Sequence, residues 1–263
     1  MGRVSHAQHV AAVSGQAFPS KKTKAAFDDD KPSKASPPKD INQPTSTSTT
    51  TPAPTAMSPK IAIIIYSMYG HVAKLAESVK SGVDAAGGSA TIYQVAETLP
   101  EAVLEKMHAP PKGPYPVIQP ADLTQFDAFI FGVPTRYGNM PAQLKAFIDG
   151  TGQLWAQGAL AGKYVSVFVS TAGLGGGQET TVINLLSTFV HHGLIFVPLG
   201  YSKAFPSSPT SPRSTVHAPH TGSPWGAGAF AGTDGSRQPS ALELQVAKIQ
   251  GEHFYSVLSK VNF

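Results

Sequence analysis

The stretch KIAIIIYSMYGHV, at residues 60–72, carries the clearest indication of the fold. Its apolar, β-branched run Ile61–Tyr66 is typical of a fully buried strand, and it ends in small and polar residues. Apolar residues then recur at helical spacing from Val72 to Val83, ahead of the helix-ending pair Gly87-Gly88. A buried strand followed directly by an amphipathic helix is typical of the start of a parallel βαβ unit.

The same alternation continues along the chain. Four more apolar strands are predicted at Ala90–Val95, Asp127–Val133, Tyr164–Ser170 and Leu194–Leu199. Helices are predicted at Leu99–Met107, after Pro141, at Gln178–His191 and at Ala241–Leu258. Nearly continuous apolar strands that are separated by helices form parallel sheets covered on both faces. The sequence therefore predicts an α/β, doubly wound fold with a five-stranded parallel sheet and helices on both faces.

The first 59 residues differ from the rest in composition. Among residues 36–59, sixteen of twenty-four positions are Ser, Thr or Pro, and a segment with so little apolar surface cannot offset its ordering entropy. We therefore expect residues 1–59 to be a disordered, low-complexity extension and residues 60–263 to form the folded domain. Residues 204–220 are also rich in Ser and Pro, and we expect a flexible, insertion-like loop there.

The positive net charge of +4 does not indicate a nucleic-acid-binding protein. Seven of the twenty Lys and Arg residues but only four of the sixteen Asp and Glu residues lie in residues 1–59, so the remaining chain is nearly neutral. The sequence also lacks a basic cluster with interleaved aromatic residues, which such a surface requires. We therefore expect no nucleic-acid partner.

Composition excludes several other classes. The chain has no cysteine, which excludes disulfides, thiolate metal sites and a cysteine nucleophile. The histidines lack metal-ligand spacing, so no metal site is expected. The longest apolar run, Ile61–Tyr66, is far shorter than the roughly 20 residues that span a bilayer, so no transmembrane segment is expected. We expect a cytoplasmic protein; the first 27 residues are basic and lack acids, which leaves an organellar transit peptide as the alternative.

Three loops that follow predicted strands have the composition of ligand-binding loops. They are Ser67–Val72, Pro134–Asn139 and Ser170–Gln178, and they should meet at the carboxyl edge of the sheet, where doubly wound folds bind ligands. The first combines a hydroxyl, a glycine and the amides of a helix N-terminus, which suit an anion. It lacks both the Walker pattern and G-x-G-x-x-G, so a phosphate monoester fits better than a dinucleotide. Each loop alone could be an ordinary turn, but the coincidence of three favours one ligand site.

Seven stretches within residues 60–200 and 222–255 point to one family: SMYGHV, FGVPTRYGNMPAQLKAF, TGQLWAQGAL, GGGQET, HHGLIFVPLGY, SPWGAGAFAG and DGSRQPSALELQVAKIQG. With these stretches the chain resembles the WrbA-type flavodoxin-like NAD(P)H:quinone oxidoreductases, particularly their fungal branch. The resemblance implies a parallel sheet of order 2-1-3-4-5, FMN as the cofactor and NADH or NADPH as co-substrate. It also implies assembly as a homodimer or homotetramer.

The resemblance further implies which residues contact the cofactor and substrates. The first loop would hold the FMN phosphate, the other two would contact the flavin ring, and one histidine would reach the flavin of a neighbouring subunit. These cofactor-binding residues are Ser67, Met68, Tyr69, Gly70, His71, Val72, Thr135, Arg136, Tyr137, Ser170, Thr171, Ala172, Gly173, Leu174, Gly175, Gly176 and His191. Tyr69 would also contact the nicotinamide, and Trp155 would stack on the quinone. The residues themselves leave two alternatives open, His191 as a helix cap and Trp155 as a core residue.

The activity implied by the resemblance is two-electron reduction of quinones to hydroquinones, by ping-pong hydride transfer through flavin N5, as protection against oxidative stress. No side chain would then be catalytic, because the cofactor carries the chemistry. Two departures from the family pattern are present: Ala172-Gly173 replaces a Gly-Thr pair, and residues 204–220 replace an ordered segment. They keep open an alternative, a flavodoxin-like FMN-binding scaffold or electron-transfer protein without quinone reductase turnover.

Overall fold

The computed structural model describes residues 58–204 and 223–263. The extension expected to be disordered, residues 1–59, lies outside these ranges except for its last two residues. The loop expected to be flexible, residues 204–220, lies outside them except for Ala204, which is fully buried.

A parallel sheet forms the centre of the domain. Its strands are β1 (Ile61–Ile65), β2 (Ala90–Gln94), β3 (Ala128–Pro134), β4 (Tyr164–Thr171), β5 (Ile195–Phe196) and β6 (Gly228–Phe230). The strands follow the order β2-β1-β3-β4-β5, every pair is parallel, and β6 also pairs with β4. The predicted doubly wound α/β fold and the 2-1-3-4-5 order are therefore confirmed. The continuous apolar run of β1 predicted a strand covered on both faces, and every residue of this strand is buried.

The last predicted strand is shorter than expected, and a sixth strand pairs with β4 beyond the point where the fifth strand ends. The pattern predicts one strand at Leu194–Leu199, whereas only Ile195–Phe196 pairs with the first residues of β4. The end of β4 pairs instead with β6, from Val169 opposite Gly228 to Thr171 opposite Phe230. The chain thus leaves the sheet after β5 and returns to the same side of β4 at β6.

Buried side chains replace the missing strand hydrogen bonds between β5 and β6. Gln250 Nε2 donates to Ser166 Oγ at 2.8 Å and to the Val167 carbonyl at 2.9 Å. Gln250 Oε1 accepts from the Ala227 amide at 2.8 Å, and the Ser166 hydroxyl donates to the Val197 carbonyl at 2.9 Å. Buried backbone groups need such partners, so these bonds allow the interruption and bring the residues after β6 to the carboxyl edge of the sheet.

Helices cover both faces of the sheet. They are α1 (His71–Ala85), α2 (Glu101–Lys106), α3 (Ala142–Asp149), α4 (Gly152–Ala156), α5 (Gln178–His191) and α6 (Ala241–Leu258), with a 3-10 helix at Pro120–Gln125. Alternate residues of β1 face two separate cores, one with α1 and α6 and one with α3 and α5. Helices α1 and α6 cross closely because Gly82 and Gly251 lack side chains. A Cβ at Gly82 would lie 1.9 Å from the Lys248 carbonyl oxygen, and a Cβ at Gly251 would lie 2.0 Å from that of Val79.

Candidate active site

A cleft of about 390 Å³ opens at the carboxyl edge of the sheet. Four segments line it: the loops that follow β1, β3 and β4, and a turn that follows β6. The lining residues are Ser67, Met68, Tyr69, His71, Val72, Pro134, Thr135, Arg136, Ser170, Thr171, Ala172, Ala231, Gly232, Thr233, Asp234 and Gly235. The three loops singled out from the sequence therefore meet in one cleft, and a fourth segment joins them.

The loop after β1 leaves backbone donors free at the start of α1. The helix begins after Gly70, whose φ of 87° lies in the left-handed region and which has no side chain to cap the helix. The backbone amides of His71 and Val72 have no hydrogen-bond partner among the described residues. Ser67 Oγ accepts from the Ala73 amide at 3.3 Å, which leaves its own proton for a ligand. Uncapped amides at the positive end of a helix form an anion site.

The His71 side chain is bound away from this anion site. It is 5% exposed, and its Nε2 lies 2.8 Å from the carbonyl oxygen of Arg237. Because a carbonyl oxygen only accepts, Nε2 is the donor, and in the neutral ring Nδ1 is then an acceptor. In that state the ring has no proton to donate to an anion, so the only hydrogen bond that His71 can donate to an anion comes from its backbone amide.

A threonine pair holds the loop after β3. The Thr181 hydroxyl donates to the Gly177 carbonyl at 2.6 Å, so the Thr135 hydroxyl is the donor in its 2.8 Å bond to Thr181 Oγ1. Thr135 Oγ1 also accepts from the Gly138 amide at 3.1 Å. Arg136 Nη1 donates to the Thr135 carbonyl at 2.8 Å. The Thr135 side chain thus joins this loop to α5, and Arg136 places a positive charge at the cleft.

The loop after β4 is held by hydrogen bonds from the side chains of Thr171 and Gln178. The Thr171 hydroxyl donates to the Gly173 carbonyl at 2.9 Å and accepts from Gln178 Nε2 at 3.0 Å. Gln178 Nε2 also donates to the Ala229 carbonyl at 3.2 Å. These bonds tie the start of the glycine-rich loop to α5 and to β6.

Eight of the site residues implied by the resemblance do not line the cleft of a single chain. They are Gly70, Tyr137, Trp155, Gly173, Leu174, Gly175, Gly176 and His191. Tyr137 is fully exposed at a positive φ of 55°, and Leu174 is 72% exposed. Trp155 is 57% exposed, so the alternative that it is a core residue is wrong for this chain. His191 lies exposed in the last turn of α5, where a helix-capping role stays open.

A second group of side chains, which we call the Glu97 cluster, lies beside the first loop; it comprises Glu97, Tyr66, Lys112 and Gln143. Glu97 Oε2 lies 2.6 Å from Lys112 Nζ and accepts from the Tyr66 hydroxyl at 2.9 Å, and Oε1 accepts from Gln143 Nε2 at 3.0 Å. Lys112 Nζ also lies 4.5 Å from the centroid of the Tyr66 ring and 3.5 Å from the Ser67 carbonyl. The cluster therefore joins the end of β1, the segment after β2 and the start of α3.

The charge state of this cluster follows from its hydrogen bonds. Burial alone would raise the pKa of the Glu97 carboxyl, but hydrogen bonds from Lys112, from two backbone amides and from Tyr66 lower that pKa to about 2. Burial and the bond to Glu97 raise the pKa of the Tyr66 hydroxyl well above its ordinary value. At neutral pH the carboxylate is ionised and the phenol keeps its proton.

Sequence reasoning missed the turn after β6, residues 231–235. The strand before it has only three residues, too few to produce a period, and it pairs with a strand 59 positions earlier in the chain. Two local signals were present: Gly232 and Gly235, which both take positive φ values (79° and 76°), and the pattern Ser240-x-x-Glu243. The second is a capping box, and the structure contains it at the start of α6.

Within residues 58–204 and 223–263, no group of three or more His, Asp or Glu side chains is placed to hold a metal ion. None of the helices in the described part of the chain is long and apolar enough to cross a membrane.

Known proteins resemble the chain in both sequence and fold. The family model of NADPH-dependent FMN reductases matches residues 59–204. The NAD(P)H quinone oxidoreductase PST3 of Candida albicans is 60% identical over 204 residues, which are 78% of this chain and 100% of the relative. The minor allergen Alt a 7 of Alternaria alternata is 56% identical over 208 residues, again 78% of this chain and 100% of the relative. The solved structure of a flavodoxin, WrbA-like protein from Agrobacterium tumefaciens has a TM-score of 0.52 at 22% identity and covers 77% of this chain and 99% of its own.

The residues of the cleft fit FMN, the flavin that the family's description names. Its phosphate monoester matches the uncapped amides of His71 and Val72 and the free proton of Ser67. The space beside Gly70 is open, since a Cβ there would meet nothing within 4 Å. The flavodoxin-like fold, the matched family model and the close fungal relatives agree. The chain therefore has a flavodoxin-like fold and fungal relatives, and it belongs to the NADPH-dependent FMN reductase family.

Proposed function

We propose that this protein is an FMN-dependent enzyme that reduces quinones to hydroquinones with NADH or NADPH. The observation that carries the proposal is the cleft at the carboxyl edge, where the loops after β1, β3 and β4 meet and where α1 begins with the free amides of His71 and Val72. The name of the Candida albicans relative, which matches along its whole length, supports the choice of quinones as substrate.

Each cleft segment has a separate task in this proposal. The amides of His71 and Val72 and the Ser67 hydroxyl bind the FMN phosphate, because they are the free donors at the start of α1. Thr135, Arg136 and the loop that begins at Ser170 border the flavin ring. When bound, FMN supplies the redox chemistry, taking two electrons from NAD(P)H and giving two to a quinone. The protein binds and orients the rings and excludes water.

Tyr69 forms the part of the cleft wall against which the nicotinamide packs in this proposal. The Tyr69 side chain is 43% exposed, and its hydroxyl donates to the Met107 carbonyl at 3.2 Å, which fixes the ring beside the cleft. NAD(P)H and the quinone then occupy the same place in turn, and this alternation gives ping-pong kinetics. Because a quinone receives both electrons at once, no one-electron product is released to react with oxygen, which favours a protective role in oxidative stress.

A second copy of the chain completes the site in our proposal, as a homodimer or homotetramer. Trp155 and His191 are both exposed outside the cleft, on α4 and at the end of α5. The Thr151 hydroxyl donates to the Ile148 carbonyl at 2.6 Å, so in its 2.9 Å bond with His192 Nε2 the Thr151 oxygen accepts, and this bond fixes α4 against the end of α5. Trp155 and His191 can therefore approach a partner's flavin as one surface, with the tryptophan stacking on the quinone.

Steady-state kinetics on the FMN-loaded full chain test the proposal. NADH and NADPH are varied separately against benzoquinone, and parallel double-reciprocal lines are expected. Protein that binds FMN but shows no quinone-dependent oxidation of either nicotinamide would contradict the enzyme and support the FMN-binding scaffold. Sedimentation with and without FMN tests the assembly, and a tightly FMN-bound monomer would contradict the shared site.

A further inference from the structure

The turn after β6, whose residues 231–235 line the cleft, continues to Arg237 and is closed by its own hydrogen bonds. Its two ends meet where the Arg237 amide donates to the Ala231 carbonyl at 2.9 Å, and within it the Gly235 amide donates to the Gly232 carbonyl at 3.3 Å. Asp234 Oδ1 accepts from both the amide and the hydroxyl of Ser236, at 3.1 and 2.9 Å. A loop with this many internal bonds keeps its shape and can act as a wall of the cleft.

Both ends of the turn are fixed to other walls of the cleft. At one end, the Ala231 amide donates to the Thr171 carbonyl at 2.8 Å and the Gly232 amide donates to the Ala172 carbonyl at 3.0 Å. At the other end, the Arg237 carbonyl accepts from His71 Nε2 at 2.8 Å. The turn therefore spans from the loop after β4 to the residue at which α1 begins, which is where the free amides lie.

An ion pair between the buried Glu243 and the partly exposed Arg237 holds the turn on the side of α6. We call it the Glu243 latch, and it comprises these two side chains with the backbone groups of Phe230 and Ser240 that they bind. Arg237 Nη1 lies 2.9 Å from Glu243 Oε2, 3.2 Å from Oε1 and 2.8 Å from the Phe230 carbonyl, to which it donates. The Glu243 side chain is 0% exposed and also accepts from the Ser240 amide at 2.7 Å. The latch thus fixes the last residue of the turn to the start of α6.

We infer that the turn at residues 231–235 is a fourth wall of the FMN site, at the phosphate end, and that Arg237, Glu243 and His71 are its positioning residues. The inference rests on the placement of the FMN phosphate at the start of α1 proposed above. The turn lines the cleft, and its far end is hydrogen-bonded to the first residue of that helix. When the latch or the His71 bond is lost, the wall moves away from the phosphate, and the affinity for FMN falls while the affinity for riboflavin does not.

Flavin titrations of two variants test this inference. Arg237→Met combined with Glu243→Gln removes both charges of the latch, leaves no unpaired buried charge, and does not touch α1. His71→Leu removes the bond at the other end and keeps the backbone amide. In fluorescence titrations of the flavin-free protein with FMN and with riboflavin, we expect each variant to lower the preference for FMN about tenfold, the scale of one hydrogen bond to a charged group. Hydrogen exchange of the amides of residues 232–236 should accelerate in both variants without flavin.

Ser240→Ala provides the matched control. It removes the bond from the Glu243 amide to Ser240 Oγ (3.2 Å), weakens the start of the same helix, and leaves the ion pair in place. We expect it to keep the preference for FMN over riboflavin.

Each outcome separates the inference from the proposal on which it rests. A wild-type protein without a preference for FMN over riboflavin would overturn the phosphate placement itself. A wild-type preference for FMN that both variants retain would overturn the fourth wall alone. A loss of this preference confined to His71→Leu would also overturn it, because the imidazole of His71 would then act directly on the phosphate and not through the turn. If the double variant does not fold, a retained preference and unchanged exchange in His71→Leu overturn the inference.

Discussion

Two carboxylates stand behind the cleft, one on each face of the sheet, and they are held in different ways. Glu97 belongs to the face that carries α3, is 15% exposed, and binds side chains that lie 15 to 46 positions away in the chain. Glu243 belongs to the face that carries α6 and is 0% exposed, and its bonds to Phe230, Arg237 and Ser240 reach 3 to 13 positions along the chain. The Glu97 cluster stabilises the loop after β1, and the Glu243 latch stabilises the turn after β6.

The difference shows how one cleft is built from long-range and local contacts. The Glu97 cluster forms only when β1, the segment after β2 and α3 have come together. The latch lies within a short stretch of the chain, between the end of β6 and the capping box of α6. We therefore expect the two carboxylates to differ in what their removal costs and in how they respond to acid.

The largest expected effect is that of Glu243→Ala. It leaves the Ser240 amide and Arg237, whose side chain is 31% exposed, without the fully buried carboxylate that they bind. Because water can partly solvate Arg237, we expect a loss of about 3 kcal/mol of unfolding free energy, the lower limit for breaking a buried pair. Glu97→Ala breaks a partly exposed pair, and we expect a loss of about 1–2 kcal/mol. Urea denaturation of the flavin-free chain at pH 7 measures both. An equal or larger loss in Glu97→Ala would contradict the contrast between the two sites.

Acid should reveal the Glu97 cluster. The folded-state pKa of Glu97 is lowered to about 2 from an ordinary 4.5, so the ionised carboxylate stabilises the fold fully above pH 4.5, and this contribution is lost as the pH falls towards 2. In urea denaturation at pH 6, the unfolding free energy of the wild type should exceed that of Glu97→Gln by about 1–2 kcal/mol, after allowance for solvent screening. This difference in unfolding free energy should disappear near pH 2. The control is Asp84→Asn, which removes a surface pair with Lys80. A gap between wild type and Glu97→Gln that does not change between pH 6 and pH 2 would contradict the lowered pKa.

A smaller effect is expected for Tyr66→Phe, which removes one hydrogen bond to Glu97 and keeps the ring under Lys112. Loss of this bond should cost about 0.5–1.5 kcal/mol and should raise the pKa of Glu97, so that acid destabilisation begins at a higher pH. Tyr115→Phe is the matched control, because it removes a comparable 2.7 Å bond to Glu77 that is exposed. If the two variants lose equal stability and keep the same acid midpoint, the burial of the Glu97 cluster has no energetic consequence.

The sequence predicted the parts of the fold that are encoded by continuous runs. Buried strands such as Ile61–Ile65 and Ala128–Pro134 are almost entirely apolar, and helices α5 and α6 begin and end where the pattern predicts. The meeting of the loops that follow β1, β3 and β4 could be predicted from the sequence, because the carboxyl ends of parallel strands lie at one edge of the sheet. The length of the strand predicted at Leu194–Leu199 was overestimated, because the backbone pairing with β4 ends at the Val197 amide, which donates to the Val165 carbonyl at 2.8 Å.

The rest of the site depends on contacts that no local pattern describes. The three-residue strand β6 is held through Gln178 and pairing with β4, and the interruption before it depends on Gln250 and Ser166. The partners of Glu97 are likewise dispersed along the chain. The local signals were the glycines Gly232 and Gly235 and the capping box at Ser240. They indicate a turn and a helix start without revealing that the turn lines a cleft.

A crystal structure of the full chain with FMN tests the central claim most directly, because it locates the phosphate. We predict that the phosphate accepts hydrogen bonds from the amides of His71 and Val72, with the turn at residues 231–235 in contact with the cofactor and the Arg237–Glu243 pair intact. A phosphate bound elsewhere, with the amides of α1 left free, would contradict the account of this cleft.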